Sequence, residues 1–119
     1  MQKKNLAVSQ SQKNRVNGGF DDEHFDYKIR INEIWCNRYV VKKKIGKGSF
    51  GQVVQALDQK RDEYVAIKIV KSKTLFRRQS KVEIDLLTHL NRMDPHDQRF
   101  IVRLKDTFIW RNHQVLLTA

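Results

Sequence analysis

The feature that most restricts the fold of this chain is a glycine-rich segment with strand-like sequence on both sides. Gly46, Gly48 and Gly51 have the spacing GxGxxG and are followed by Val53. Glycine tolerates positive φ and lets another group approach the backbone closely, so such a segment suits a loop that covers phosphates. In dinucleotide-binding domains this spacing opens a helix, whereas residues 53–57 are strand-like here. The pattern therefore predicts a β-hairpin, and a hairpin that binds no ligand is the alternative interpretation.

Strand-like runs continue on both sides of the glycines. Residues 39–45, 53–57 and 64–70 are rich in β-branched side chains and are separated by short polar or glycine-rich loops, which predicts an antiparallel meander. Residues 100–108 and 114–117 predict two further strands joined by a short polar turn. The sequence therefore predicts a five-stranded antiparallel sheet.

One helical run lies between the third and fourth of these strands. Within residues 76–93, Val82, Leu86 and Leu90 recur at a spacing of four, with Leu87 alongside. This is the periodicity of a helix with one apolar face, which we expect to pack on the sheet. Together with the strands, the helix gives an α+β fold.

A lysine and a glutamate interrupt these apolar elements. Lys68 ends the run Val-Ala-Ile-Lys in the third strand, and burying its ammonium is costly unless an anion lies nearby. Glu83 is expected on the helix face of Leu86, Leu87 and Leu90, toward the sheet. An ion pair between Lys68 and Glu83 would satisfy both charges and hold the ammonium toward phosphates. Taken alone, alternation along the strand could instead leave Lys68 on the solvent face.

The glycine segment, the lysine and the glutamate resemble the small, N-terminal lobe of protein kinases, in which the one helix is called αC. Within kinases the chain resembles the dual-specificity tyrosine-regulated kinases, most closely the minibrain-like members. The resemblance rests on the acidic and aromatic residues 20–27, on residues 45–54, and on Phe108 with residues 111–113. It covers about residues 17–117.

The resemblance and the composition divide the chain into three parts. Residues 1–19 are polar and poor in core-forming side chains, so we predict a disordered leader. Residues 20–38 form what we call the acidic-aromatic box, whose alternating part predicts a short strand or hairpin. Residues 39–119 are predicted to form the small lobe, ending near the hinge of the family.

The resemblance implies a nucleotide site. Ile45, Val53 and Ala66 would enclose the adenine, while backbone amides of residues 47–51 would cover the phosphates. Lys68 would contact the α- and β-phosphates, and Thr118 would occupy the gatekeeper position. The implied cofactor-binding residues are Ile45, Gly46, Lys47, Gly48, Ser49, Phe50, Gly51, Val53, Ala66, Lys68, Glu83 and Thr118.

The same resemblance implies transfer of a phosphoryl group from MgATP to Ser, Thr and Tyr of proteins. The catalytic base and the metal ligands of the family would lie beyond Ala119, together with the lobe that binds protein substrates. We therefore expect no catalytic residue and no metal ligand among these 119 residues, and no transferase activity from them alone. The alternative is a non-catalytic interaction module that competes for kinase partners through the acidic-aromatic box.

Composition limits the classes of ligand and the cellular locations that suit this chain. The formal net charge is +11, which suits nucleotide phosphates, acidic partners or nucleic acid. We disfavour nucleic acid because the basic residues are scattered and no aromatic stacking platform accompanies them. No apolar run approaches the roughly 20 residues of a membrane helix. A single cysteine, Cys36, fits an intracellular protein, and the resemblance allows both nucleus and cytoplasm.

Overall fold

A computed structural model describes residues 16–119 and arranges them around one antiparallel sheet. Residues 1–15, most of the predicted leader, lie outside the described residues. The last four residues of the predicted leader, Val16–Gly19, form a short 3-10 turn that leads into the box. The Asn17 side chain in this turn donates a hydrogen bond to the Arg111 carbonyl oxygen at 2.6 Å, which fixes the turn against a distant loop.

The sheet has six strands in the order β1-β2-β3-β4-β6-β5, and all neighbours are antiparallel. One helix, α1, connects β4 to β5 and is the predicted αC helix. The predicted fold class is confirmed, with one additional strand of two residues that the box contributes. The elements are β1 (Ile34–Trp35), β2 (Tyr39–Gly48), β3 (Gly51–Asp58), β4 (Glu63–Val70), α1 (Thr74–Met93), β5 (Leu104–Trp110) and β6 (His113–Thr118).

The strand predicted to begin at residue 100 begins later. Strand β5 starts at Leu104, and Phe100 is 97% exposed with a φ of +57°. A left-handed backbone of this kind is incompatible with a β-strand, so the apolar run 100–102 forms a loop despite its β-branched composition. The apolar sequence was therefore a misleading strand signal here.

The hydrophobic core lies on one face of the sheet, and the acidic-aromatic box covers it. Trp35 is fully buried and stacks on Trp110 with ring centroids 5.2 Å apart, while Tyr27 meets Trp35 edge-on at 5.4 Å. Large buried aromatic rings dominate core energetics, so the box is part of this core. The core comprises Tyr27, Trp35, Tyr39, Val41, Val54, Ala56, Val65, Ile67, Ile69, Val115 and Leu117.

Polar side chains also join the box to this face. His113 is fully buried, with Nδ1 2.6 Å from the Val70 carbonyl oxygen and Nε2 in contact with the Asp21 carboxylate. Ser72 donates from Oγ to the other Asp21 oxygen at 2.6 Å. Each of these buried polar side chains thus has a partner, which buried polar groups require.

Helix α1 packs on the opposite face and is turned differently from the prediction. Val82 and Leu86 were expected against the sheet, but they are 69% and 55% exposed. Glu83 and Leu87 are half-buried instead, because the helix is rotated to bring Glu83 against β4. Ser80 is the buried residue of this helix. Within residues 16–119, no helix combines the length and apolarity needed to cross a membrane.

Candidate functional site

The sheet register gathers four predicted site residues on the face that carries α1. Val53 lies opposite Lys68 on the neighbouring strand, and Ala66 lies opposite Thr118. Directly opposed residues share a face of a sheet, and so do residues two apart on one strand. The same side of the sheet therefore carries Val53, Ala66, Lys68 and Thr118. Ile67 and the other core residues lie on the opposite side.

Lys68 and Glu83 form the ion pair that their spacing suggests. The Lys68 ammonium donates to both Glu83 carboxylate oxygens, at 2.9 and 2.8 Å. The side chains remain 26% and 39% exposed, so solvent weakens the attraction, and we expect at most about 1 kcal/mol of stability from it. The pair thus fixes the position of the ammonium more than it holds the fold together.

The glycine-rich segment forms the tip of the β2–β3 hairpin, and only one of its glycines is required by packing. Gly51 has a φ of +146°, and a Cβ there would lie 2.1 Å from the Ile69 carbonyl oxygen. A Cβ on Gly46 would meet no atom within 4 Å. At Gly48 it would meet the edge of the Phe50 ring at 2.7 Å, which is the far end of a flexible side chain. Packing therefore requires a glycine at position 51 and does not require one at position 46.

The side chain of Phe50, one of the predicted site residues, contacts Lys68, and this contact was not predicted from the sequence. Its ring centroid is 4.5 Å from the Lys68 Nζ, a cation–π distance. The space beside this contact measures only about 70 Å³, whereas ligand sites typically enclose about 300–1,000 Å³. In this conformation the ring therefore fills the space next to the ammonium. The space is lined by Phe50, Lys68, Val70, Phe76, Gln79, Ser80 and Glu83.

The remaining predicted residues are spread around the hairpin. Ile45 lies at an irregular step in the β2–β3 register and is 56% exposed. Ser49 is exposed at the hairpin tip. Lys47 lies opposite Gln52, and both side chains point to the box face, where the Lys47 Nζ is 3.7 Å from an Asp26 carboxylate oxygen. The Lys47 side chain is therefore on the other side of the sheet from Lys68.

Comparison with known proteins identifies the family. A model of the protein kinase domain matches residues 39–119 of this chain. The chain belongs to the protein kinase family. Two relatives of this kinase chain are the dual specificity tyrosine-phosphorylation-regulated kinases mbk-2 of Caenorhabditis briggsae and of Caenorhabditis elegans, each 44% identical over 100 residues. The match covers 84% of this chain and 12% of each relative, and it confirms the resemblance to the dual-specificity kinases.

Proposed function

We propose that this kinase chain binds ATP, with the phosphates between the glycine-rich hairpin and the Lys68–Glu83 pair. We further propose that the whole protein transfers a phosphoryl group from ATP to Ser, Thr and Tyr residues of proteins. The observation that carries the proposal is the ion pair on the sheet face beneath the hairpin. Both relatives are named as dual specificity kinases, which supports the acceptor class.

The chemistry of the pair fits phosphate binding. A lysine ammonium has three N–H donors, and Glu83 accepts from this ammonium with both carboxylate oxygens. A phosphate oxygen could therefore take a remaining N–H of Lys68, and the fixed ammonium would not need to reorganise to stabilise its charge. Phe50, which now contacts the ammonium, would have to move aside for this.

Gly46 supports the same location. Packing does not require a glycine at this position, since a side chain would have open space. Gly46 borders an irregular step in the β2–β3 register, and the missing side chain also leaves the backbone open to close approach of a ligand.

Kinases use ATP as its magnesium complex, with the ions held by acidic and amide side chains. Residues 16–119 bring together no group of three His, Cys, Asp or Glu side chains that could hold a metal ion. We therefore assign no step to the ion.

The alternative is an interaction module that binds partners through the acidic-aromatic box. Asp21, Asp26 and Tyr27 of the box are 3%, 1% and 2% exposed, so a partner could not reach them without unfolding the core, although Glu23 and Ile31 remain exposed. We favour nucleotide binding because the Lys68–Glu83 pair is the more specific observation.

Replacing Lys68 by methionine tests the proposal. We expect Lys68→Met to weaken binding of the fluorescent ATP analogue mant-ATP by about tenfold or more, because one charge-assisted hydrogen bond to phosphate is lost. The free energy of unfolding should change by less than about 1 kcal/mol, because the ion pair is partly exposed. Titration of mant-ATP fluorescence and urea unfolding measure the two effects.

Lys60→Met is the matched control. Lys60 is exposed in the turn between β3 and β4, at the end of the sheet far from the hairpin tip, and its replacement should leave mant-ATP binding unchanged. Equal affinities of Lys68→Met and Lys60→Met would contradict the proposed function.

A further inference from the structure

The carboxylate of Asp26 is an unusual buried charge. The residue is 1% exposed, and neither of its oxygens has a hydrogen-bond partner within the described residues. Its nearest cations are the ammonium groups of Lys47 and Lys71, at 3.7 and 4.0 Å, too far for direct hydrogen bonds. Burying a carboxylate in this way is costly, and the loss of solvent raises the pKa of Asp26. Stability of the box does not account for such a group.

The contacts of Asp26 connect three elements of the kinase chain. Asp26 belongs to the box, Lys47 to the β2 side of the glycine-rich hairpin, and Lys71 to the link between β4 and α1. On the β3 side of the same hairpin, Gln52 donates from Nε2 to the Tyr27 carbonyl oxygen at 2.7 Å. The box therefore holds both strands of the hairpin, one by a hydrogen bond and one by charge alone.

Of these two contacts, the one between Lys47 and Asp26 can be removed by changing a single charge. The Lys47 side chain is 58% exposed and free to point into solvent, so attraction by Asp26 is what retains it. Lys71 places a second positive charge beside Asp26. The Asp22 carboxylate repels the Asp26 carboxylate and raises the pKa of Asp26. If the Asp26 charge were removed, the two ammonium groups would repel each other and the β2 side of the hairpin would be released.

We propose that Asp26 is a positioning residue for the nucleotide. Its carboxylate holds the Lys47 ammonium on the box face of the sheet, and this keeps the hairpin backbone in place over the phosphate position on the opposite face. The inference rests on the proposed function, because it assigns the hairpin to phosphate binding. It gives the box a role in ligand affinity in addition to its role in the core.

Asp26→Asn in the full chain tests the inference, because the amide has the same shape and no charge. We expect the affinity for mant-ATP to fall about fivefold and the amide hydrogens of residues 46–51 to exchange faster. The melting temperature should stay the same or rise, since a buried carboxylate without hydrogen-bond partners is removed. A purely structural role for Asp26 would give the reverse pattern, with a lower melting temperature and unchanged mant-ATP affinity and exchange, and would overturn the inference.

Lys47→Met provides the partner variant and Lys44→Met the control. Lys47→Met should weaken mant-ATP binding as much as Asp26→Asn, and the double variant should be no weaker, because one contact can be removed only once. Lys44 is exposed on the same strand and forms no ion pair with any described residue, so Lys44→Met should leave affinity and exchange unchanged. Additive effects of Asp26→Asn and Lys47→Met would also overturn the inference.

The two proposals fail in different ways. If the unmodified chain does not bind mant-ATP, the proposed function fails, and the exchange rates of residues 46–51 then decide whether Asp26 holds the hairpin. If the unmodified chain binds mant-ATP and Asp26→Asn binds it equally well, only the positioning role of Asp26 fails.

Discussion

The two faces of the sheet differ in how completely their side chains are buried. On the box face, Trp35 and Ile67 are fully buried, and the polar pair of Asp21 and His113 is satisfied inside the core. On the helix face, Lys68 and Glu83 remain a quarter to two fifths exposed, and one residue of α1, Ser80, is buried. Burial of apolar area is the main favourable contribution to folding, so the box face supplies most of the stability. The helix face is less completely buried, and it carries Lys68 and Glu83, the charged groups suited to a ligand.

This division predicts that stability and binding can be changed separately. Variants on the box face should change mainly the free energy of unfolding, and variants on the helix face should change mainly nucleotide affinity. Asp26 is the exception, since it lies on the box face and acts on the hairpin.

Truncating Trp35 should have the largest effect on stability. We expect Trp35→Ala to lower the free energy of unfolding by about 3–5 kcal/mol, because a fully buried ring and its stacking on Trp110 are lost. Val82→Ala on the exposed side of α1 should change it by less than about 0.5 kcal/mol. Urea unfolding measures both, and equal losses would show that the two faces do not differ in this way.

Gly46 and Gly51, two of the three glycines of the hairpin, allow a comparison within one loop. Gly51→Ala should destabilise the fold by roughly 2–3 kcal/mol, since the Cβ would overlap the Ile69 carbonyl oxygen at an unfavourable φ. Gly46→Ala should leave unfolding within about 0.5 kcal/mol and weaken mant-ATP binding. Thermal unfolding and mant-ATP titration distinguish the two, and a destabilised Gly46→Ala chain would contradict the division.

The Arg38–Asp58 pair should show the smallest effect, which depends on pH. Hydrogen bonds from Arg38 at 2.7 Å lower the pKa of Asp58 from its ordinary value to about 2. Because the folded-state pKa is the lower one, this stabilisation is present above the ordinary value near 3.8 and is lost as the pH falls through about 2. Asp58→Asn should cost about 1.5 kcal/mol at pH 7.

The control for this prediction is the pH profile itself. Unfolding of the unmodified chain and of Asp58→Asn should be compared between pH 6 and pH 2, and the difference between them should shrink toward the acid end. A difference that stays constant with pH would exclude ionisation of Asp58 as its cause.

Local pattern was enough to predict the sheet, the helix and the contact between Lys68 and Glu83. Strand alternation and helical spacing each set the side on which a residue points. They place Lys68 and Glu83 on facing sides of the sheet and the helix, where the two charges form an ion pair. The same pattern could not set the rotation of α1. Val82 and Leu86 have the spacing of an inward face, but in the structure Glu83 faces β4 and these two residues point outward.

The rest of the site depends on contacts between segments far apart in the sequence. Asp26 meets Lys47 only because the box folds back over the sheet, and nothing in the local sequence of either residue indicates this contact. The Phe50 ring could have pointed to solvent from the hairpin tip, and its position on Lys68 follows from the tertiary structure. Strand β1 has two residues, too short for any periodicity to appear.

The position of the Phe50 ring on the Lys68 ammonium has a consequence for the affinity of the proposed nucleotide site. A phosphate can reach the ammonium only in the molecules whose ring has swung away, so the apparent dissociation constant equals the intrinsic one divided by that open fraction. A smaller side chain at this position would raise the open fraction and tighten the apparent affinity for nucleotide without adding any contact to it.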